Sequence, residues 1–430
     1  MAVALTNARL ASLLPAVLTA TTIVVDEGLI VQIGGSVPND ADIVDCDGKL
    51  VMPGNVCAHT HVYSALARGM PAPPRVPRDF REILDLVWWR LDRALDATAI
   101  HFSGLIGAID AIRSGTTTLV DHHSSPNYID GSLDILADAF EAVGARAVLC
   151  YEVTDRGGRE RRDQGLRENE RFLAASRHEI RGMVGAHAGF TLDDDSLERI
   201  ADLASNMETG VHIHVAEGMC DEEDSLRRSG KRVGQRLVDA GVIDDRSIAA
   251  HGVHLSAAEI ALLRRKGTWF AHNCRSNMNN AVGRAPVANF GERTALGTDG
   301  IDGDMFTEAR TAYFRAKEDD HDMGAERIAA MLAAGGDLVS GIFEKPVGRL
   351  APGAAADLVV LDYNPPTPFH PDNLVWHWMF SFTPALVNSV MVAGRWVMRE
   401  REILGVDEEK VRSEAAAVAR SVWGKMEEIE

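Results

Sequence analysis

The sequence has few of the features that mark a secreted or membrane-spanning protein. Its five cysteines are scattered and form no CxxC pair, so we expect no disulfide framework and a reducing compartment. No run of eighteen apolar residues occurs, and the N-terminal stretch lacks a basic segment, which argues against a membrane helix and a signal peptide. These absences predict a cytoplasmic protein without a membrane partner.

Positive charge is scarce relative to negative charge. The chain has 44 Lys and Arg against 63 Asp and Glu, a formal net charge of -19. Nucleic acids and anionic membranes bind clustered Lys and Arg, so neither is an expected partner. The excess of negative charge instead favours a small neutral or cationic ligand.

The order of apolar runs predicts the fold class. With 430 residues, 46% of them hydrophobic, the chain can bury a large core. Between about residues 53 and 346, eight short apolar runs alternate with helical stretches such as Ser132–Val143 and Asp195–Met207, which predicts an α/β fold with a (β/α)8 TIM-type barrel. The predicted strands are Gly54–His59, Thr117–Asp121, Ala145–Tyr151, Gly182–Ala186, Val211–His214, Ser247–His251, Thr268–His272 and Thr294–Leu296.

Both ends of the chain are β-rich and punctuated by turns. We therefore predict a small β-sandwich domain from residues 1–53 together with 348–430, the latter including a terminal helix, around a barrel domain of residues 54–347. Pro71–Asp79 is a predicted loop, and the charged segment Arg156–Glu170 is predicted to be solvated surface. Asp221–Asp224 is predicted to be a solvated helix start.

Two motifs place paired histidines on one face of a predicted strand. In Ala58–His61 the histidines His59 and His61 are two residues apart, and residues i and i+2 of a strand share a face. The run Val211–Glu217 repeats this spacing, with His214 nearer the mouth of the barrel and a carboxylate three residues later. His212 would lie deeper, as a buried, hydrogen-bonded histidine.

Two further strand ends carry His251 and Asp299. Either residue alone would mean little, but active sites of barrels lie where the strands end, so these side chains are expected at one mouth. Imidazole and carboxylate ligands suit a zinc- or iron-like ion. No lysine lies between Lys49 and Lys231, which removes a fourth-strand lysine that could bridge two metals and favours a single ion.

These motifs resemble the amidohydrolase superfamily. Gly48–Gly54 before His59 and His61 resembles the entry to its barrel, and Gly348–Asp362 resembles the return into its small β domain. The chain is most similar to the chlorohydrolase and aminohydrolase (deaminase) group, and Trp88–Asp92, Asp121–Pro126 and Asn273–Asn280 resemble SsnA-type aminohydrolases.

The resemblance implies a ligand set and a mechanism. His59, His61, His214 and Asp299 would hold one divalent ion, zinc in preference to iron or manganese, which would lower the pKa of a bound water towards ~7. Asp299 would accept a proton from that water. Glu217 would protonate the ring nitrogen beside the attacked carbon, and His251 would stabilise the tetrahedral state.

Predicted substrate contacts are Arg68, Trp88, His123 and His187. Trp88 could stack on a planar ring, and His123 and His187 end predicted strands, whereas Arg68 could equally be a surface side chain. Asn277 resembles a family position near the seventh strand end, without an assigned role.

The leading functional hypothesis is deamination of a small aminated heterocycle, purine- or pterin-like, by a homodimeric enzyme. Opening of a cyclic amide, or displacement of another group from a heteroaromatic ring, uses the same chemistry and stays open. A non-catalytic metal-binding barrel is a third reading, which Glu217 argues against because a mere scaffold has no need of a proton shuttle.

Overall fold

Two nine-stranded sheets organise the chain in the computed structural model, which describes residues 2–175 and 177–429. The strands are β1 (Val3–Leu13), β2 (Ala16–Asp26), β3 (Leu29–Ile33), β4 (Asp42–Asp45), β5 (Leu50–Pro53), β6 (Asn55–Thr60), β7 (Thr116–His123), β8 (Arg146–Val153), β9 (Ile180–Gly182), β10 (Val184–Ala188), β11 (Val211–Val215), β12 (Ile248–His251), β13 (Trp269–His272), β14 (Thr294–Leu296), β15 (Leu358–Leu361), β16 (Val387–Val392), β17 (Arg395–Arg399) and β18 (Glu402–Ile403).

The central sheet is a nearly closed parallel barrel in the order β6-β7-β8-β10-β11-β12-β13-β14, with β9 paired to β8. Its eight strands match the eight predicted apolar runs within a few residues, which confirms the predicted barrel. Each strand is short and buried on both faces, as expected for a parallel sheet covered by helices.

Backbone contacts between the first and last barrel strands bring two ends of the site together. The amides of Thr298 and Asp299 donate to the carbonyl of His59 at 2.9 and 3.0 Å. Gly297 makes this approach possible, because a Cβ there would lie 2.3 Å from Oδ1 of Asn273 and 2.9 Å from the backbone nitrogen of His59. A side chain at residue 297 would therefore force β6 and β14 apart.

Both chain ends join in the second sheet, in the order β18-β17-β16-β15-β5-β1-β2-β3 with β4 paired to β1. The pairing of β5 with β15 connects residues about 300 positions apart in sequence. This confirms the prediction of one β unit built from both ends, while its exact boundaries stay a prediction.

A buried ion pair ties the two sheets together. Arg146, at the start of β8, donates from Nε and Nη2 to the carboxylate of Asp357 at 2.9 and 3.0 Å, and both side chains are fully buried. Glu179 also contacts Arg146 and is itself 3.0 Å from Nζ of Lys345.

Helices cover the barrel and the sheet edge. They are α1 (Phe80–Ile83), α2 (Trp89–Ala94), α3 (Ala97–Arg113), α4 (Ser132–Val143), α5 (Arg159–Leu173), α6 (Asp194–Asn206), α7 (Met219–Ser229), α8 (Val233–Asp239), α9 (Ala257–Lys266), α10 (Cys274–Asn279), α11 (Met305–Lys317), α12 (Ala325–Phe343), α13 (Leu374–Ser381) and α14 (Glu408–Glu428). A π-helical turn, Leu84–Trp88, joins α1 to α2.

The prediction of solvated surface over Arg156–Glu170 holds for residues 157–161 but is wrong further along, because Arg162, Glu168 and Asn169 on α5 are buried. Two of its buried polar side chains are satisfied by backbone groups: Glu168 accepts hydrogen bonds from the amides of Gly131 and Leu133, and Asn169 is hydrogen-bonded to the amide and the carbonyl of Tyr151. Hydrophobic periodicity does not reveal a helix that packs through polar contacts.

Within the described ranges, no single helix is long and apolar enough to cross a membrane. The helical stretch Phe80–Ala94 and the following Ala97–Arg113 reach that length and composition only as a pair, which bends by 107°.

Candidate metal centre and active-site cavity

Four predicted ligands meet at the carboxyl end of the barrel. His59 and His61 come from β6, His214 from β11, and Asp299 follows β14. Oδ1 of Asp299 lies 3.3 Å from Nε2 of His59 and 3.0 Å from Nε2 of His61, and Nε2 of His61 lies 3.1 Å from Nε2 of His214. The structure thus brings together the residues that the sequence singled out.

Hydrogen bonds behind the rings fix which nitrogen faces the centre. Nδ1 of His61 donates to the carbonyl of His122 at 2.5 Å, and Nδ1 of His214 donates to the carbonyl of His187 at 2.8 Å. In the neutral ring, each Nε2 then presents a lone pair. Two lone pairs 3.1 Å apart repel each other unless a cation lies between them.

His59 fits the same pattern. Its Nδ1 is 2.8 Å from Nε2 of His212, while its own Nε2 is buried without a hydrogen-bond partner. An unpartnered buried nitrogen costs about 1–3 kcal/mol, so a ligand is expected to satisfy it. Three imidazole nitrogens and a carboxylate oxygen are the donor set that zinc-like divalent ions prefer, so the residues fit a metal.

Asp299 is held ionised. Burial would raise the pKa of its carboxyl, but the adjacent imidazoles of His59 and His61 keep that pKa well below its ordinary value. Ser276 also donates to Oδ2 of this carboxylate. Asp299 can therefore act as an anionic ligand and as a proton acceptor.

Three strand-end residues of the site adopt left-handed backbone conformations. The φ angles are 50° at Ala216, 73° at His251 and 54° at Asp299. Non-glycine residues pay about 1–3 kcal/mol for such conformations, which persist where surrounding contacts enforce them and which cluster at functional sites. Here they turn His251 and Asp299 into the mouth of the barrel.

Glu217 and His251 face the ligand cluster from one side. Nε2 of His251 is 3.6 Å from Oε2 of Glu217 and 4.0 Å from Oδ2 of Asp299, and its Nδ1 is 2.8 Å from Oδ1 of Asn277. Nδ2 of Asn280 lies 3.4 Å from Oε1 of Glu217. Burial, with a further contribution from Asp299, raises the pKa of Glu217 to about 7, so this carboxyl can carry a proton near neutral pH.

A cavity of about 660 Å³, counting space open to solvent, lies over this cluster. The predicted contacts Trp88 and His187 line it, together with Glu217 and the ligands His61, His214 and Asp299. Its other walls are aromatic and acidic: Tyr63, Phe80, Trp89, Phe190, Asp92, Glu152 and Asp221.

Arg68 and His123, the other predicted contacts, do not line this cavity. Nη1 of Arg68 lies 2.6 Å from Oδ2 of Asp110, and the side chain is half exposed. His123 is buried, with Nε2 2.9 Å from Oγ of Ser125. Their roles in substrate binding stay predictions that this placement does not support.

Sequence reasoning missed the acidic wall of the cavity. Asp92 was visible only as part of a Trp-Trp-Arg-Leu-Asp motif, whereas Glu152 directly follows the predicted strand Ala145–Tyr151, where its strand-end position could have singled it out. The prediction of a solvated helix start at Asp221–Asp224 is wrong for its first two residues, which are buried. Asp221 accepts hydrogen bonds from the amides of Phe190 and Ala216, at 2.9 and 2.8 Å, and thereby holds the loop after β11 in place.

Comparison with known proteins places this architecture among characterised enzymes. Residues 50–397 match the model of the Amidohydrolase family. A 5-methylthioadenosine/S-adenosylhomocysteine deaminase from Desulforudis audaxviator is 33% identical over 417 residues, covering 93% of this chain and 94% of the relative. A 5'-deoxyadenosine deaminase from Methanothermobacter thermautotrophicus is 32% identical over 421 residues, covering 94% and 95%.

Solved structures share the fold at lower sequence identity. A zinc-bound adenosine deaminase from Xanthomonas campestris superimposes with a TM-score of 0.83 at 24% identity, covering 99% of each chain. A zinc complex of atrazine chlorohydrolase from Arthrobacter aurescens superimposes with a TM-score of 0.84 at 18% identity, covering 97% of this chain and all of the other.

Proposed function

This chain belongs to the amidohydrolase family, and we propose that it is a metal-dependent aminohydrolase that removes the exocyclic amino group of a purine-like ring as ammonia. The observation that carries the proposal is the convergence of unpaired imidazole lone pairs on one point, beside a carboxyl whose pKa lies near 7. Deaminases of adenosine analogues are about a third identical to it over nearly the whole chain.

His59, His61, His214 and Asp299 would hold the metal, which we propose to be a single zinc ion. When bound, the ion supplies Lewis-acid activation of water at neutral pH. The absence of a lysine between Lys49 and Lys231 supports a single ion, and the three-imidazole, one-carboxylate donor set supports zinc over harder ions.

The remaining steps use side chains of this chain. Asp299, an anion at neutral pH, accepts the proton of the attacking water. Glu217, whose pKa lies near 7, can hold a proton near neutral pH and donates it to the ring nitrogen next to the attacked carbon, which makes that carbon more electrophilic. His251 is positioned by Asn277 and hydrogen-bonds the oxygen of the tetrahedral state.

The cavity suits a flat aromatic substrate. The aromatic side chains of Trp88, Trp89 and Phe190 line its walls, while His187 offers a polar contact near His214. Aromatic faces stack on planar heterocycles, and a few convergent polar groups then fix their orientation. Both features support a purine-sized ring.

The direct test is ammonia release by zinc-loaded protein from adenine, 5'-deoxyadenosine and 5'-methylthioadenosine. We expect Glu217→Gln to lower kcat by about 10²–10⁴-fold while retaining zinc, since it removes a general acid and no metal ligand. His214→Ala should lose both zinc and turnover. Glu292→Gln, the same change at an exposed residue, is the matched control and should behave as wild type.

Two outcomes would contradict the proposal. Turnover of the Glu217→Gln protein within threefold of wild type would remove Glu217 from the reaction. Silence on every aminopurine by zinc-loaded protein would rule out purine deamination, and release of chloride from chlorinated rings or opening of cyclic amides would then identify the reaction.

We also propose that the enzyme is a homodimer. The side chains of Phe314, Trp376 and Phe380, on α11 and α13, are exposed. The rings of Trp376 and Phe380 stack with centroids 6.0 Å apart, and the ring of Phe314 lies tilted against Phe380. Contiguous exposed aromatic groups mark interaction surfaces. Sedimentation of wild type and Phe380→Asp tests this, because a dimer through this surface should dissociate in the variant.

A further inference from the structure

Helix α10 and the residue that follows it bring polar side chains to two groups of the proposed reaction. Oγ of Ser276 donates to Oδ2 of Asp299, and Nδ2 of Asn280 lies 3.4 Å from Oε1 of Glu217. Both side chains are buried, and Asn280 also lines the cavity. The proposed reaction gives neither Ser276 nor Asn280 a role, although each contacts a residue that handles a proton.

The hydroxyl of Ser276 has a fixed direction. A carboxylate that is held ionised can only accept hydrogen bonds, so the single hydrogen of Oγ is committed to Asp299. Nδ2 of Asn280 lies 3.3 Å from the same Oγ, which therefore accepts. This contact requires the nitrogen of the Asn280 side chain, rather than its oxygen, to face Ser276. The oxygen accepts instead from Nδ2 of Asn279 at 3.2 Å, which agrees with this orientation.

The orientation of Asn280 in turn decides which oxygen of Glu217 is protonated. An amide nitrogen has two hydrogens and only donates, so Oε1 of Glu217 accepts the hydrogen that Ser276 does not take. In a protonated carboxyl the accepting oxygen is the carbonyl one, because a hydrogen on Oε1 would point at the N–H group. The proton therefore lies on Oε2. That oxygen is 3.6 Å from Nε2 of His251, beyond hydrogen-bond range, and the carboxyl lines the cavity, so the proton is available to a ligand there.

An ion pair holds α10 in place behind these hydrogen bonds. Nε of Arg275 donates to Oε2 of Glu308 at 2.6 Å, and Nη2 donates to Oδ1 of Asp302 at 2.8 Å. The amide of Arg275 also donates to Oε1 of Glu308, a fully buried residue on α11. Since Arg275 directly precedes Ser276, these contacts fix the helix at the point from which its hydroxyl reaches the site.

The bonding pattern of Asn280 differs from that of an ordinary buried side chain. Most side-chain hydrogen bonds in proteins go to backbone groups or to water. The carboxamide of Asn280 instead bonds to three other side chains, those of Ser276, Glu217 and Asn279. A role in packing alone would require no such set of partners, two of which belong to the proton-handling part of the site.

We propose that Ser276 and Asn280 are positioning residues, which orient the carboxyl of Glu217 so that its proton lies on Oε2 and faces the cavity. Asp299 sets the direction of the Ser276 hydroxyl, Ser276 sets the orientation of Asn280, and Asn280 sets the position of the proton. The inference rests on the proposed function for the transfer of that proton to a ring nitrogen. The placement of the proton in the resting protein requires no turnover.

Infrared spectroscopy tests this placement without turnover. At pH 5.5 the zinc-loaded protein is below the pKa of Glu217, which burial raises to about 7. The wild-type spectrum minus that of Glu217→Gln then isolates the C=O stretch of this carboxyl. A hydrogen bond to a carbonyl oxygen lowers its stretching frequency, so Asn280→Leu, compared with its own Glu217→Gln counterpart, should raise the frequency of the band. Ser276→Ala should shift the band in the same direction, because Asn280 loses the acceptor that orients it.

Kinetics separate a positioning role from a merely structural one. Asn280→Leu should lower kcat about 10–100-fold, the usual cost of losing a partner that orients a site residue, with KM within threefold and zinc content unchanged. In the Glu217→Gln background the same change should lower kcat less than threefold, because no carboxyl proton is left to place. Asn206→Leu, the same change at an exposed residue, is the matched control and should move neither the band nor kcat. Thermal melting shows whether each variant is folded.

The proposal is overturned if the band stays in place in folded Asn280→Leu, if the wild type has no such band, or if Asn280→Leu lowers kcat equally in both backgrounds. A band that shifts as expected, in a protein that releases no ammonia from any aminopurine, refutes the proposed reaction and keeps the placement of the proton. The two proposals can therefore fail separately.

Discussion

The buried ion pair between Arg146 and Asp357 provides a quantitative test of how the two sheets depend on each other. Arg146→Met replaces the guanidinium by an apolar side chain of similar length. The carboxylate of Asp357 then stays fully buried, with the amide of Ala393, 2.8 Å from Oδ1, as a remaining donor. Glu179 loses its contact with Arg146 and keeps Lys345.

Breaking one partner of a buried pair costs about 3–5 kcal/mol, because it leaves an uncompensated charge in the interior. The entropy of unfolding is about 2.1 cal/mol/K per residue near 60 °C, which for this chain is about 0.9 kcal/mol/K. Arg146→Met should therefore lower Tm by about 3–6 °C. The double variant with Asp357→Leu should lose less than the sum of the two single losses, since neither charge is left alone.

Differential scanning calorimetry at pH 7.5, with zinc present throughout, measures these shifts. Arg349→Met is the matched control, because Arg349 pairs with Asp337 at the surface, where both side chains are about half exposed. That change should move Tm by less than about 1 °C, as exposed pairs contribute about 0–1 kcal/mol. If Arg146→Met and Arg349→Met melt within 1 °C of each other, the buried pair does not hold the sheets together.

Three further predictions concern the site. Asn277→Ala should lower kcat about 10–100-fold and leave metal content, measured by atomic absorption, unchanged, because His251 loses the acceptor that orients it; loss of the metal would contradict this. Gly297→Ala should lower the free energy of unfolding by about 1–3 kcal/mol and weaken metal binding, because its methyl group clashes with Asn273 and β6. The control is Gly341→Ala on α12, where no atom lies within 4 Å of the added methyl group; it should be neutral or stabilising in thermal melts. Burial raises the pKa of Asp121, on β7, to about 7 from 3.8, so the protonated carboxyl favours the folded state. Its contribution to the free energy of unfolding is complete below about pH 4 and is lost as pH rises through 7. Asp121→Asn should therefore flatten the Tm-against-pH curve between these pH values, and an unchanged slope would refute the shift in pKa.

The barrel and the convergence of the proposed ligands could be predicted from the sequence because both are encoded locally. Each barrel strand is a short apolar run, and His59 with His61 shows the two-residue spacing of a strand face within four residues of sequence. Parallel strands carry such residues to one mouth whatever the details of packing, so the convergence of His214 and Asp299 needed only the fold class.

The acidic wall as a whole could not be predicted, because its members meet only through tertiary packing. Asp92 belongs to α2 and Glu152 to β8. Arg68 shows the reverse case: its position after the first motif favoured a substrate contact, but Asp110 on α3 pairs with it. Long-range pairing between charged residues leaves no periodic pattern in one sequence.

The pairing of β5 with β15 has a consequence for biosynthesis. A ribosome adds about 5–20 residues per second, so β5 emerges roughly 15–60 s before the strand that covers its edge. Until then the nascent chain exposes an unpaired strand edge, a template for association with other chains. We therefore expect the second sheet to be completed late in translation, when Asp357 is also buried against Arg146. A chaperone that shields β1–β5 on the ribosome until then would raise the yield of soluble enzyme.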